Sequence, residues 1–207
     1  HHRYLHSFPT RRSSDLALSI LKRRGLLASK SGIGTVVRSG GATSKSMTVS
    51  GSIRDLLYYA AGTHYTSLGR ELVVPPASVA HTLDLRPKSK VFCFRGLRSR
   101  TRGSPFGVEE VYIREGLGRG LNNARLGNRT LFSLLEEQND LKIAEVEQVI
   151  TAVPAATGIA RELDVAVRAP LLKATRTYRL ADGKPVEVAI SFYDVAKFEY
   201  AMKLLPD

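Results

Sequence analysis

Residues 79–113 read VAHTLDLRPKSKVFCFRGLRSRTRGSPFGVEEVYI, and residues 159–193 read IARELDVAVRAPLLKATRTYRLADGKPVEVAISFY. The second stretch follows the first at a constant offset of 80 residues. At that offset Ala80 matches Ala160, Leu83 matches Leu163, Asp84 matches Asp164, Gly103 matches Gly183, Pro105 matches Pro185 and Val108 matches Val188. Each copy reads as a short helix ending in Leu-Asp-Leu or Leu-Asp-Val, a spacer, an apolar strand, a Gly-x-Pro turn and a return strand. Two copies are too few for a solenoid. They imply two halves related by an approximate two-fold axis and sharing one sheet. The copies differ where chemistry would sit: Arg98 and Arg100 stand where the second copy has Tyr178 and Leu180.

Outward from the repeat, 66–74 and 142–152 read as further strands. Pro75 and Pro76 open a helix at 77–83, since proline is tolerated in a first turn. Leu131, Leu134 and Leu135 share a helical face, with Asn128 or Thr130 as candidate cap. Strands, hairpins and helices without βαβ crossovers predict an α+β domain with a mostly antiparallel sheet. The return strands ending in Tyr112 and Tyr193 are expected to present sheet edges and so to invite pairing with another chain. Ile53, Leu56 and Leu57 line one face of a helix over 53–60, and 39–52, rich in Gly, Ser and Thr, reads as a linker.

The 207 residues suit one main domain with appendages. Hydrophobic content of 43% with 24% charged residues is ordinary globular composition. No apolar run is long enough to span a membrane, and the start does not read as a signal peptide. The lone Cys93 excludes a disulfide framework and a multi-cysteine zinc site, so a cytoplasmic protein is expected. A net charge of +12 favours anionic partners. The segment 6–16, His-Ser-Phe-Pro-Thr-Arg-Arg-Ser-Ser-Asp-Leu, resembles the translation of a common short-read sequencing adapter. Residues 1–16 are therefore read as an artefact segment standing in place of natural sequence, outside fold reasoning.

From Ala17 the chain reads as the end of a helix, with Leu18 and Leu21 on one stripe, then Lys22, Arg23 and Arg24, then Gly25 as stop. A hairpin follows: Leu26 to Lys30, a turn at Gly32 and Gly34, then Thr35 to Val37. Helix tail plus basic hairpin over 17–38 resembles the close of the winged helix-turn-helix in the GntR family of bacterial regulators. That resemblance implies DNA contacts by Lys22, Arg23, Arg24, Lys30, Gly32, Gly34 and Thr35. With the earlier helices of the module missing, this chain is expected to bind DNA without operator preference.

The longer stretch 53–207 resembles the UTRA effector-binding domain of the HutC-like subfamily. The resemblance rests on Ala80-His-Thr-Leu83-Asp-Leu, on Arg98-Ser-Arg100 ahead of Pro105-Phe-Gly-Val-Glu109-Glu-Val-Tyr112, and on Leu131-Phe-Ser-Leu134. It rests also on Ala169-Pro-Leu-Leu172, Asp182-Gly-Lys-Pro185-Val-Glu187 and Ser191-Phe-Tyr193. It implies a chorismate-lyase-like fold, a homodimer, and a small anionic effector, a sugar phosphate or organic acid.

Arg98 and Arg100 alternate along a strand and leave it on one face, as bidentate capture of phosphate or carboxylate requires. In the family's terms these arginines hold the anion and Glu109 holds hydroxyls. Thr130 sits at a helix start, where backbone N–H groups favour anions. Glu187 and Tyr193, on the second return strand, are placed to close the pocket. The competing reading makes Arg98, Arg100 and Glu109 surface ion pairs across the hairpin. A stand-alone small-anion-binding or catalytic domain of the same fold is the alternative function. Cys93 lies in an apolar strand, the histidines lack metal-ligand spacing, and Gly32-Ile-Gly34 leads into a strand rather than a helix, so no enzyme and no cofactor are expected.

Overall fold

The computed structural model describes residues 15, 18, 27–30, 34–37, 46–49, 52–100 and 104–202. The chain forms two compact units, His1–Ser44 and Lys45–Asp207. In the first, β1 (Leu27–Lys30) and β2 (Gly34–Val37) make an antiparallel hairpin that pairs Lys30 with Gly34 and Ser29 with Thr35. Lys22, Arg23, Arg24 and Gly32, named above as DNA contacts, lie outside the described residues, as do 1–14.

The second unit begins with β3 (Ser46–Val49), α1 (Ile53–Ala61), β4 (His64–Val73), α2 (Ala77–Thr82), β5 (Val91–Ser99) and β6 (Gly107–Arg114). It continues with α3 (Glu115–Gly118), a 3-10 turn (Asn123–Arg125), α4 (Leu131–Asn139), β7 (Glu145–Pro154), α5 (Thr157–Leu163), β8 (Pro170–Arg179), β9 (Pro185–Asp194) and β10 (Glu199–Met202). Six strands form one antiparallel sheet in the order β4-β5-β6-β9-β8-β7. The expected α+β architecture is present.

Two expectations are corrected. The return strands β6 and β9 are not edges: they pair with each other at the middle of the sheet, and β4 and β7 are the edges. Both are buried along nearly their whole length, the mark of strands covered on two faces. The segment 39–52 is not linker throughout. Ser46–Val49 is a strand paired in parallel with β10, and the Met47 side chain is buried. Strand ends elsewhere differ by a few residues, as β7 does from the expected 142–152.

The repeat is visible in the register. Glu110 pairs with Ile190, its own counterpart 80 residues on, so an approximate two-fold axis passes between them, normal to the sheet. The helix ends repeat as well. The Leu85 N–H donates to the Ala80 carbonyl and Val165 N–H to Ala160, while Asp84 and Asp164 take φ of 48° and 55°. An Asp tolerates this left-handed turn, which ends each helix and sends the chain back to the sheet.

The sheet buries both faces. On one, Val79 and Leu83 of α2 pack with Val91, Tyr112 and Val188, and Ile159 and Leu163 of α5 pack with Val108 and Leu171. The other carries α4 through Leu131, Phe132 and Leu135, with Leu56 of α1 beside them. Ser52 caps α1, accepting from the Arg54 N–H at 3.2 Å while its own N–H donates to Asp55. Thr130 caps α4, its hydroxyl accepting from Ser133 N–H at 3.3 Å.

Candidate functional site

On the α1 and α4 face, a small cavity of about 40 Å³ lies over the sheet centre. That volume holds a few waters at most. Its floor is Glu109, Val111, Ala189 and Ser191, which surround the two-fold axis. Arg98, Arg176, Tyr178 and Glu187 form its walls, and Leu56, Tyr59, Thr130, Leu131 and Phe132 cover it. Because residues 80 apart face each other across the axis, each charged residue of the cavity has an uncharged counterpart. Arg98 is matched by Tyr178, Glu109 by Ala189, Arg176 by Gly96 and Glu187 by Gly107. Both glycines are filled from outside. A Cβ on Gly96 would lie 2.1 Å from the Tyr65 ring, and one on Gly107 would lie 2.9 Å from that of Tyr193. Chemistry has thus been retained on one member of each pair.

Arg98 is 2% exposed and its Nε donates to Glu109 Oε1 at 3.1 Å. Its other nitrogens donate to the Thr63 hydroxyl and to the Arg129 carbonyl, and the guanidinium lies 5.1 Å from the Tyr65 ring centre. Burial works against the Arg98 charge, and Glu109, together with Tyr59 and Tyr193, more than offsets it. The hairpin ion pair therefore forms, but inside the molecule. Glu187 is 2% exposed and its Oε2 has no hydrogen-bond partner among the described residues. Burial, and next the Glu109 charge, push its carboxyl up to about 8.

Of the six residues expected to bind effector, Arg98, Glu109, Thr130 and Glu187 line this cavity. Tyr193 lies beside it, its hydroxyl accepting from Arg176 at 3.5 Å and its ring stacked on Phe198 at 4.0 Å. Arg100 lies outside the lining, above the Phe106 ring at 4.7 Å, with Nη1 donating to the Lys197 carbonyl at 2.5 Å. Sequence reasoning alone misses Arg176. It is 4% exposed, and among the described residues no carboxylate lies within ion-pair distance of it. Its nitrogens donate to Gln148 at 2.6 Å, to Ser191 at 3.3 Å and to Tyr193, and Nη2 lies 3.9 Å from Met47 Sδ.

Elsewhere the described residues contain no cluster able to hold a metal. No described helix is long and apolar enough to cross a membrane. Cys93 is buried and burial pushes its thiol up to about 11, which suits packing rather than attack. An open groove of about 340 Å³ lies on the other sheet face, between His81, Thr82 and Asp84 and the strands carrying Glu147, Thr175 and Arg179. In the other half Arg95 stands where this one has Thr175, and it bridges Glu110 and Glu162 at 3.2 Å each.

The family model of the UTRA domain matches residues 61–199. The HTH-type transcriptional regulator Rv0792c of Mycobacterium tuberculosis is 27% identical over 191 residues, covering 91% of this chain and 70% of its own. A putative transcriptional regulator from Streptomyces coelicolor has a similar structure, with a TM-score of 0.64 and 26% identity over 70% of this chain and 94% of that one. So does the ligand-binding domain of a putative GntR-family transcriptional regulator from Bordetella bronchiseptica, with a TM-score of 0.62 and 24% identity over 69% and 89% of the two chains.

Proposed function

The chain belongs to the UTRA-domain family of GntR-type transcriptional regulators, and from that premise we propose that its second unit binds a small anionic effector which controls operator DNA binding. The observation that carries the reading is the cavity on the two-fold axis, lined by Arg98, Arg176, Glu109 and Glu187. Ligand pockets combine an apolar lining with few convergent polar groups, and this cavity has that make-up. The first unit, with the β1–β2 hairpin as wing, supplies the DNA contacts. The protein acts as a bacterial cytoplasmic homodimer of the HutC-like type and catalyses nothing.

Coupling has a physical route. Met47 of β3 touches Arg176, and Leu56 and Tyr59 of α1 cover the cavity. These two elements open the second unit, directly after the segment that leads from the DNA-binding hairpin. An effector that spreads the cavity moves them first. Two sites and two states linked this way are coupled by ~1–3 kcal/mol in typical cases.

The test pairs two measurements. Thermal unfolding against a panel of sugar phosphates and organic acids identifies an effector, since a ligand at 100 times its Kd adds about 2.7 kcal/mol. A gel shift with operator DNA then follows its release or capture, using a chain that carries a complete winged helix. An effector that binds yet leaves operator affinity unchanged refutes the proposal.

A further inference from the structure

Two ionisable side chains on the sheet side of the cavity lack a partner of the right chemistry among the described residues, and so does the Tyr59 hydroxyl that covers it. Arg176 is a buried cation whose described contacts are all neutral: an amide, two hydroxyls and a thioether. Glu187 is a buried carboxyl with one oxygen that touches no donor. Each is costly to fold, because a charge or polar group taken out of water requires a compensating contact. The two do not satisfy each other, although the sheet makes them neighbours. Arg176 pairs with Ala189, so Glu187 and Ser191 flank it diagonally on the same face, at roughly 7–8 Å. The guanidinium turns toward Ser191, Tyr193 and Gln148 and away from Glu187. Gln148 is itself anchored, donating to the Tyr200 hydroxyl at 2.9 Å. The arginine is therefore braced from one side.

Arg98 is the opposite case. Its charge is neutralised by Glu109, and one N–H on each terminal nitrogen serves the Thr63 hydroxyl or the Arg129 carbonyl. An anion arriving at Arg98 meets a charge that is already paired. An anion arriving at Arg176 displaces only a weak contact to sulfur.

We propose that Arg176 is the seat of the effector's anionic group and that Glu187 takes a hydrogen-bond donor on the same small molecule. The effector class is then a compact phosphate or carboxylate that also carries an amino or hydroxyl group. This rests on the reading of the cavity as the effector site, and narrows it.

The test uses two matched series of probes on the full chain. One is ethyl phosphate, 2-hydroxyethyl phosphate and 2-aminoethyl phosphate. The other is propanoate, 3-hydroxypropanoate and 3-aminopropanoate. Thermal unfolding is followed at a common millimolar concentration and constant ionic strength. The series that raises the unfolding temperature identifies the anion. Within it, probes bearing a donor bind up to about tenfold more tightly than the bare anion, one hydrogen bond's worth. Arg176→Gln abolishes the response to every member. Glu187→Leu, which carries no acceptor, keeps the response to the bare anion but loses the tenfold preference. Arg176→Lys, which retains the charge, keeps a weakened response and separates loss of binding from loss of folding. Circular dichroism verifies the fold of each variant. The proposal is overturned if the parent responds to neither series, if Arg176→Gln responds as the parent does, or if Glu187→Leu still prefers the donor-bearing probes. A metabolite that shifts operator binding equally in the parent and Arg176→Gln leaves the regulator reading standing and removes this one.

Discussion

Replacing Glu187 by Gln keeps the shape of the side chain and removes its titration. Burial, and secondarily the Glu109 charge, raise the Glu187 pKa from 4.5 to about 8. An acid raised by folding holds its proton more tightly in the folded state, so unfolding releases a proton between these two values. The stability it contributes is full below 4.5 and is lost as the pH rises to about 8. The slope is about 1.4 kcal/mol per pH unit, and the whole window is worth about 5 kcal/mol. The substituted amide titrates nowhere, so the Glu187→Gln variant escapes that loss. Urea unfolding of both proteins at a series of pH values across the window measures the difference. Subtraction cancels the groups that do not interact with Glu187; the others facing the cavity are Arg98, Arg176, Tyr178 and Tyr193 on the sheet, Tyr59 on α1, and Glu109, whose coupling to Glu187 is part of the difference measured. The variant is expected to gain on the parent steadily as pH rises, and then to hold a constant lead. A difference that stays flat with pH refutes the burial argument for this carboxyl.

Other outcomes follow from the same geometry. Gly96→Ala drives a Cβ to 2.1 Å from the Tyr65 ring, which is held by Asn123 and lies against Arg98, so calorimetry should show a loss of about 3 kcal/mol. Arg98→Met leaves Glu109 buried without its partner and should cost about 3–5 kcal/mol, whereas Arg95→Met, on a 39% exposed side chain, should cost under about 1 kcal/mol. Chemical denaturation of the two variants side by side decides whether burial sets the scale. Light scattering at micromolar concentration should give the mass of a dimer, and a monomer there removes the allosteric scheme.

What the sequence made legible was local. The helix-hairpin repeat and the helix ends at Leu83-Asp84 and Leu163-Asp164 follow from short-range patterns, and of the two candidate caps for α4, Asn128 and Thr130, the structure uses Thr130. Pairing between distant segments was not legible. Burial on both faces of β6 and β9 was written in Gly107-Val-Glu-Glu-Val-Tyr-Ile113 and Pro185-Val-Glu-Val-Ala-Ile190, but whether such a run is central or edge depends on strands far away. β3 escapes notice because four residues amid Gly, Ser and Thr carry no period, and its partner β10 lies some 150 residues on. Arg176 escapes because a single arginine in Ala174-Thr-Arg-Thr-Tyr178 reads as a solvent-facing strand position. The signal that could have found it was the repeat itself. Ala174 and Tyr178 share its face and are buried, and the matching position is Gly96.

The two-fold axis through Glu110 and Ile190 carries a consequence for how a ligand is read. A cavity centred on a true dyad would admit one molecule in two poses, equal in energy and related by half a turn. A ligand bound that way would push on both halves alike and convey no direction. Arg98 facing Tyr178, and Gly96 facing Arg176, abolish that degeneracy. The cavity has a head and a tail, so a guest adopts a single orientation and exerts a single, reproducible sense of displacement on the β3 and α1 side of the domain.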